Sequence, residues 1–360
     1  MKEIRSLTGL RGIAALIVFW AHTHDTLDVR GLTLHFPVLV ERLFMSGGRQ
    51  VDIFFVLSGF ILAMIYQSEF AKTISVTSYL TFMRRRLARI YPLHAFMVLL
   101  VLGFVLVAIS AKIPLRHGAE RFEFATLPQH FLLVHAWGPF IASGPGTWNP
   151  PSWSISIEFM AYLLFPGLIW VNARCADSRS WLIIVLVVVA GFALNELVPW
   201  STDGFGGVAR GLSEFSLGAL TMNLYRSRLA AWLQSGPGST LALAVVVITF
   251  AVVADTGFFI GAATAPFLLS LCGRNWPAQV FGSRPMHFLG EISYSIYLGH
   301  FLFTSLAYRI VSVEWMKGGM LQAMAGITSI FAIVLLLATL TYYTVERPGR
   351  AMFAGRRPAR

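Results

Sequence analysis

The chain has 360 residues, of which 56% are hydrophobic and 12% are charged, and its mean hydropathy is +0.68. A soluble domain usually carries about 25% charged residues, so this composition excludes an ordinary soluble protein and predicts an all-α, polytopic membrane protein. The net charge of +11 does not indicate a nucleic-acid partner, because the basic residues lie in short loops between apolar stretches. Two cysteines are too few for a disulfide framework, and we assign them no metal or redox role.

Windows of about 20 apolar residues predict a bundle of ten transmembrane helices. The predicted spans are 8–27, 49–66, 90–110, 152–171, 181–198, 207–225, 239–255, 257–272, 287–307 and 320–343. The segment 128–141 is either re-entrant or an eleventh span, and an eleventh full span would place the basic C-terminus outside. Ten spans instead concentrate Lys and Arg in the cytoplasmic segments, with both termini inside. We therefore expect a transmembrane domain over 1–346 and a short basic cytoplasmic tail over 347–360.

The first span contains two ionisable residues that are costly in hydrocarbon. Arg11 and His22 are separated by a spacing that brings them within about 20° of one helix face and about 16 Å apart along the axis. Such residues within a span are functional candidates by default. Asp25 follows His22 at i+3 and can meet it, whereas His24 points elsewhere. The alternative interpretation of His22 is a histidine satisfied by a neighbouring helix.

The second span is interrupted by small residues in the stretch "VDIFFVLSGF". Ser58 and Gly59 indicate either a close contact between helices or room for a ligand chain beside the backbone. The G-x-S-x-G context of a nucleophile elbow is missing, so we do not predict a serine nucleophile.

An arginine cluster precedes Tyr91 and Pro92, which we expect to mark the start of the third span. Its members are Arg84, Arg85, Arg86 and Arg89. Because arginine forks match phosphate oxygens bidentately, the cluster predicts a site for the phosphates of a nucleotide-bearing cofactor such as coenzyme A. The alternative is a topology signal or a contact with anionic lipid.

Further polar residues fall within the later spans. Glu158 lies about two turns inside the fourth span, at a depth similar to that of His22, and needs a partner. Arg210 and Glu214 are spaced i, i+4 on the sixth span and could satisfy each other. The ninth span carries Glu291 near its inner end and, nine positions deeper, a histidine at 300. Glu346 and Arg347, which end the tenth span, are interpreted as structural.

Six stretches, taken in order, resemble the acyltransferase 3 family of integral membrane acyltransferases, which includes O-antigen and exopolysaccharide O-acetyltransferase-like proteins. They are "LTGLRGIAALIVFWAH", "DIFFVLSGFIL", "RRRLARIYPLH", "WSISIEFMAYLLFP", "LGEISYSIYLGH" and "ERPGR". The resemblance covers residues 7 to about 350. It implies ten spans in a bacterial cytoplasmic (inner) membrane and transfer of an acyl group, often acetyl, from cytoplasmic acyl-CoA. The implied acceptor is a hydroxyl, occasionally an amine, of a glycan, a lipid-linked sugar or a metabolite.

Carried over by position, the family's motifs fall on residues already selected. The family's Arg and His pair corresponds to Arg11 and His22, and its Arg-x-x-Arg motif to Arg86 and Arg89. Its Ser-Gly-Phe motif begins at Ser58, and its glutamate corresponds to Glu158. One departure is a threonine at position 8, where relatives often carry Asp.

The predicted mechanism uses a neutral imidazole at His22. It acts as general base on the acceptor hydroxyl, or it accepts the acyl group before passing it on. Asp25 or Glu158 would fix its tautomer. The sequence leaves direct transfer and an acyl-histidine intermediate both open.

The rival prediction is a proton-coupled secondary transporter that uses Arg11, His22 and Glu158 as a relay. The arginine cluster and the lack of recognisable repeated halves favour the enzyme. A non-catalytic membrane sensor would leave the geometry of Arg11 and His22 unexplained. The sequence predicts no metal and gives no oligomeric state.

Overall fold

A computed structural model describes residues 3–113, 122–138, 148–175, 204–252 and 257–354, with the single positions 186, 190 and 193. Every regular element within these ranges is helical. The helices are α1 (Arg5–Val29), α2 (Val38–Met45), α3 (Gln50–Phe70), α4 (Val76–Ser110), α5 (Leu127–Phe131), α6 (Trp153–Cys175), α7 (Gly204–Thr221), α8 (Arg228–Leu233), α9 (Gly236–Val252), α10 (Gly257–Leu271), α11 (Trp276–Phe281), α12 (Arg284–Ile310), α13 (Val313–Met316), α14 (Met320–Thr341) and α15 (Arg347–Ala354). A π-helical turn, Tyr342–Glu346, joins the last two.

Nine of the ten predicted spans coincide with helices, and the span 181–198 lies almost entirely outside the described residues. In the described part of the chain, four helices are long and apolar enough to cross a membrane: Gly47–Phe70, Val76–Ser110, Pro150–Arg174 and Met320–Phe353. Gly236–Val252 and Phe259–Leu271 are shorter apolar helices. Helices α1 and α12 are longer than most but less apolar, because polar side chains lie where the two pack together. The predicted tail begins as helix α15, and residues 355–360 lie outside the described part.

Helix α4 runs through the position where the sequence predicted a helix start. Ser75 caps it with a capping box, and the helix continues past Pro92 to Ser110. The predicted boundary at Tyr91 and Pro92 is therefore wrong. A long membrane helix can accommodate an internal proline because neighbouring groups satisfy the backbone around it. Near this proline, Tyr294 of α12 donates to the Ile90 carbonyl oxygen at 2.7 Å and joins α4 to α12.

Glycine is required at helix crossings that shape the cavity wall. At the contact between α1 and α12, a Cβ on Gly290 would lie 1.9 Å from the Thr8 carbonyl oxygen. At the contact between α3 and α7, a Cβ on Gly59 would lie 1.9 Å from the Phe215 carbonyl oxygen, and Gly218 meets α3 in the same way. Small residues of this kind let helix backbones approach closely within a membrane. Gly59 therefore serves the close helix contact, which was one of its two predicted roles.

Arg210 of α7 pairs with a carboxylate on another helix. Arg210 forms an ion pair with Asp52 of α3 and also donates to the Gly48 carbonyl oxygen at 2.8 Å. Asp52 is completely buried, and so is Glu214 beside it. The expectation that Arg210 and Glu214 satisfy each other is not met, because neither carboxylate oxygen of Glu214 has a hydrogen-bond partner among the described residues. A buried cation is most stable beside a carboxylate that is equally desolvated, and α3 supplies one.

Candidate active site

A cavity enclosing about 820 Å³ of empty space, part of it open to the outside, lies between α1, α3, α4, α6 and α12. Apolar and aromatic side chains form most of its wall. The polar residues of chemical interest are Arg11, Ser58, Arg86, Arg89, Glu158 and Tyr162. Three arginines thus face one glutamate in a poorly solvated space, where charges interact more strongly than in water. The excess of positive over negative side chains in the wall favours an anionic ligand.

Arg11 enters the cavity from α1 and is fixed by α12. Its Nε donates to Ser293 Oγ at 2.9 Å, and its Nη2 donates to the Gly290 carbonyl oxygen at 2.8 Å. Neither partner is charged, so the positive charge of Arg11 remains uncompensated by these contacts. The close approach of α1 to α12 at Gly290 brings the carbonyl oxygen within reach.

The four arginines of the predicted cluster occupy different environments. Only Arg86 and Arg89 line the cavity, whereas Arg84 is exposed and Arg85 is half-buried outside it. The cause is the continuous helix: the residues extend through more than one turn of α4 and so face several directions. Of the four arginines for which a phosphate site was predicted, two thus line the cavity, at i and i+3.

Arg86 and Arg89 also differ in what holds them. Arg89 donates from Nη1 to Glu346 Oε1 at 3.0 Å, and Glu346 is buried, with Arg350 and Ser295 as its other partners. The guanidinium of Arg86 lies 5.6 Å from the ring centroid of Tyr66, and its buried Nε has no hydrogen-bond partner among the described residues. Arg86 therefore lacks the carboxylate partner that Arg89 has, and its Nε is a donor without a protein acceptor among the described residues.

Glu158 lines the same cavity and accepts two hydrogen bonds from other residues of the wall. Its Oε1 accepts hydrogen bonds from Ser58 Oγ at 2.7 Å and from Tyr162 Oη at 2.6 Å. Ser58 thus faces the cavity while Gly59, the next residue, packs on α7. Bonds of this kind to a carboxylate are stronger than bonds between neutral groups, so they fix both hydroxyls.

His22 lies against α12, the helix whose residues also accept the hydrogen bonds of Arg11. Its ring stacks on His300 with centroids 5.2 Å apart and planes 17° apart, and the Phe301 ring is 4.7 Å away. The structure thus places Arg11 and His22 on one side of α1, as their spacing predicts. Asp25 is exposed, and within the described part of the chain neither Asp25 nor Glu158 hydrogen-bonds to His22. The expectation that one of them fixes the tautomer of His22 is not met.

His24 has a separate environment, as predicted. Its Nε2 lies 3.2 Å from the Leu34 carbonyl oxygen, and its ring packs near Trp20 and Phe36. These contacts tie the end of α1 to the segment that follows it. His24 is therefore a matched control for His22, since it is the same residue type two positions away.

Helix α12 extends from the arginine end of the cavity to the imidazole pair, the stacked rings of His22 and His300. Ser293 contacts Arg11, Tyr297 lines the cavity, and His300 stacks on His22. These positions, i, i+4 and i+7, share one helix face and cover about 10 Å along the axis. Of this face, the sequence indicated only His300, as an ionisable residue within a span, and assigned it no role. A row of Ser, Tyr and His inside a predicted span was the available signal.

The fold and the cavity define a helical membrane protein with a cationic cavity inside its bundle. The family model of acyltransferase 3, described as an acyltransferase domain, matches residues 4–343. The chain belongs to this family of acyltransferases and is an enzyme.

Two relatives differ in how much of their own length is similar to this chain. Acyltransferase MdmB of Streptomyces mycarofaciens is 28% identical, over 99% of this chain and 94% of the relative. O-acetyltransferase OatA of Staphylococcus aureus strain NCTC 8325 is 25% identical, over 84% of this chain but only 51% of the relative. No solved structure matches the chain.

Proposed function

We propose that the protein is an O-acyltransferase that takes an acyl group, acetyl in the first instance, from cytoplasmic acyl-CoA. The observation that carries this proposal is the cavity in which Arg11, Arg86 and Arg89 face a single glutamate. Coenzyme A carries several phosphates, and guanidinium groups bind phosphate oxygens through paired hydrogen bonds. The spare donor capacity of Arg86 supports this assignment.

The proposed topology is ten spans with both termini in the cytoplasm of a bacterial cell. This topology is supported by Glu346, which pairs with Arg89 of α4 and with Arg350 of the basic helix α15, so that the arginine end of the cavity lies beside that helix. Basic segments stay on the cytoplasmic side, so acyl-CoA would enter the cavity from that side. The acceptor would approach from the opposite face of the membrane.

In the proposed reaction His22 is the reactive imidazole. It either removes the proton from the acceptor hydroxyl or receives the acyl group and passes it on. Arg11 binds the donor at the entrance to this region, and Glu158 holds the hydroxyls of the cavity wall. Asp25 is exposed and would act on His22 only through its charge.

The proposed acceptor is a hydroxyl of a glycan, a lipid-linked sugar or a metabolite outside the cytoplasm. The family and the O-acetyltransferase relative support an O-linked product. Mass spectrometry of extracted lipids and glycans, from cells with and without the protein, identifies the acceptor as the component that loses one acetyl mass.

The donor assignment is tested with the purified full chain in detergent. A ligand that binds only the native state stabilises it, so acetyl-CoA and CoA should raise the midpoint of thermal unfolding. Acetyl-pantetheine, which lacks the nucleotide phosphates, should raise it much less at the same concentration. No stabilisation by either CoA compound would contradict the proposed donor and would favour a transporter.

A further inference from the structure

His300 occupies a position next to the reactive imidazole. It lies on α12 with 1% of its surface exposed, and its ring is stacked on that of His22. Tyr297, one turn earlier, lines the donor cavity, with its ring centroid 6.2 Å from that of His300. The imidazole pair therefore begins where the described cavity wall ends.

Hydrogen bonding fixes the tautomer of His300. Its Nδ1 lies 2.6 Å from the Tyr297 carbonyl oxygen. A carbonyl oxygen can only accept, so Nδ1 carries the proton and Nε2 carries the lone pair. Among the described residues this buried Nε2 has no hydrogen-bond partner. A buried acceptor is normally paired, so an unpaired one beside a reactive group calls for a donor from a ligand.

His22 lacks an equivalent arrangement. In the described part of the chain its ring stacks between neighbours but receives no orienting hydrogen bond from Asp25 or Glu158. A general base is typically oriented by a third group on its far nitrogen. By this criterion His300, rather than His22, is arranged as the base.

We propose that His300 accepts the proton of the acceptor hydroxyl at Nε2, and that His22 carries the acyl group. This inference rests on the proposed function. In the first step a ring nitrogen of His22 attacks the thioester carbonyl, a C–N bond forms and the C–S bond breaks. The electron pair leaves on the CoA thiolate, which takes the remaining ring proton of His22 and departs as the thiol.

In the second step the acceptor hydroxyl gives its proton to His300 Nε2 while its oxygen attacks the acyl carbon. The C–O bond forms, the C–N bond breaks, and the electron pair returns to His22. His22 then takes the proton from His300, so both rings are neutral again. The products are the O-acyl acceptor and free CoA.

The test uses purified full-length protein, acetyl-CoA labelled in its acetyl group, and a lipid and glycan extract of the host cells as acceptor. Without extract, wild-type protein and His300→Gln should both become labelled, whereas His22→Ala should not. With extract, label should pass from wild-type protein to an ester product. General base catalysis contributes roughly 10²- to 10⁴-fold, so His300→Gln should transfer at least 100-fold more slowly.

Several outcomes would overturn the inference. The first is that His300→Gln transfers label to the acceptor at more than half of the wild-type rate. The second is that wild-type protein does not become labelled when extract is absent. The third is that His300→Gln does not become labelled although acetyl-CoA still stabilises it. If His300→Gln does not fold, His300→Asn is used in its place. The Asn side chain keeps a donor near the Tyr297 carbonyl oxygen. Loss of folding in both variants would make His300 a structural residue. Wild-type protein that neither binds acetyl-CoA nor transfers label would instead defeat the proposed function itself.

Discussion

Arg86 and Arg84 provide a matched test of the donor site, because both lie on α4 but only Arg86 lines the cavity. Replacing Arg86 by Ala removes charge-assisted hydrogen bonds worth roughly 1.5–3 kcal/mol. Each 1.4 kcal/mol is a factor of ten, so the apparent KM for acetyl-CoA should rise about 10- to 100-fold. Arg86→Lys should recover only part of this loss, since a point charge replaces a planar fork.

The control for Arg86→Ala is Arg84→Ala. It removes the same charge from the same segment and so reproduces any effect on membrane topology, but it should leave the KM for acetyl-CoA unchanged. The assay measures release of free CoA at varied acetyl-CoA and fixed acceptor extract, with a reporter at the C-terminus to detect inversion. Equal KM values for both variants, with topology preserved, would refute the assignment of the cavity to the donor phosphates.

Arg89 should respond differently from Arg86, because it also pairs with a buried carboxylate, Glu346. Breaking a buried pair leaves an uncompensated charge, which typically costs 3–5 kcal/mol, and Arg350 remains to offset part of this. Arg89→Ala should therefore lower the midpoint of thermal unfolding as well as weaken donor binding. Arg86→Ala should weaken donor binding alone.

Three further predictions test other parts of the structure. His22→Ala should abolish acyl transfer while acetyl-CoA still stabilises the protein, whereas His24→Ala should keep most activity. Equal losses of activity in a transfer assay would contradict the assignment of His22 and His24 to different sides of α1. Glu158→Gln should slow transfer at least tenfold, because the two hydroxyls that donate to it lose a charged acceptor; an unchanged rate would remove it from the active site. Gly59→Ala should destabilise the protein by roughly 1–3 kcal/mol through overpacking against α7, and Gly103→Ala, with open space around it, should stabilise it by roughly 0.5–1 kcal/mol. Matching shifts of the two unfolding midpoints would show that the crossing of α3 and α7 is misplaced.

The periodicity of a single helix was sufficient to predict several features of the site. Arg11 and His22 share one side of α1, and His24 faces away, because the α-helical repeat fixes these directions whatever surrounds the helix. The cost of placing polar groups in hydrocarbon likewise selected Glu158. Both arguments depend only on local geometry and on the membrane.

Features that depend on which helices meet could not be predicted in this way. The sequence placed a helix boundary at Pro92, but packing of α4 against its neighbours keeps the helix continuous and turns Arg84 away from the cavity. It also paired Arg210 with Glu214, whereas the buried Asp52 on another helix is the actual partner. Hydropathy and spacing say nothing about contacts between helices distant in sequence.

The proposed function requires that this chain transfers an acyl group from acyl-CoA through His22. The most direct measurement follows labelled acetyl from acetyl-CoA into an alkali-labile ester in membranes that contain wild-type protein or His22→Ala at equal amounts. The proposed function predicts ester formation by wild-type membranes and none above the protein-free background with His22→Ala. Equal ester formation by both, or none by wild-type membranes supplied with the full cell extract, would contradict it.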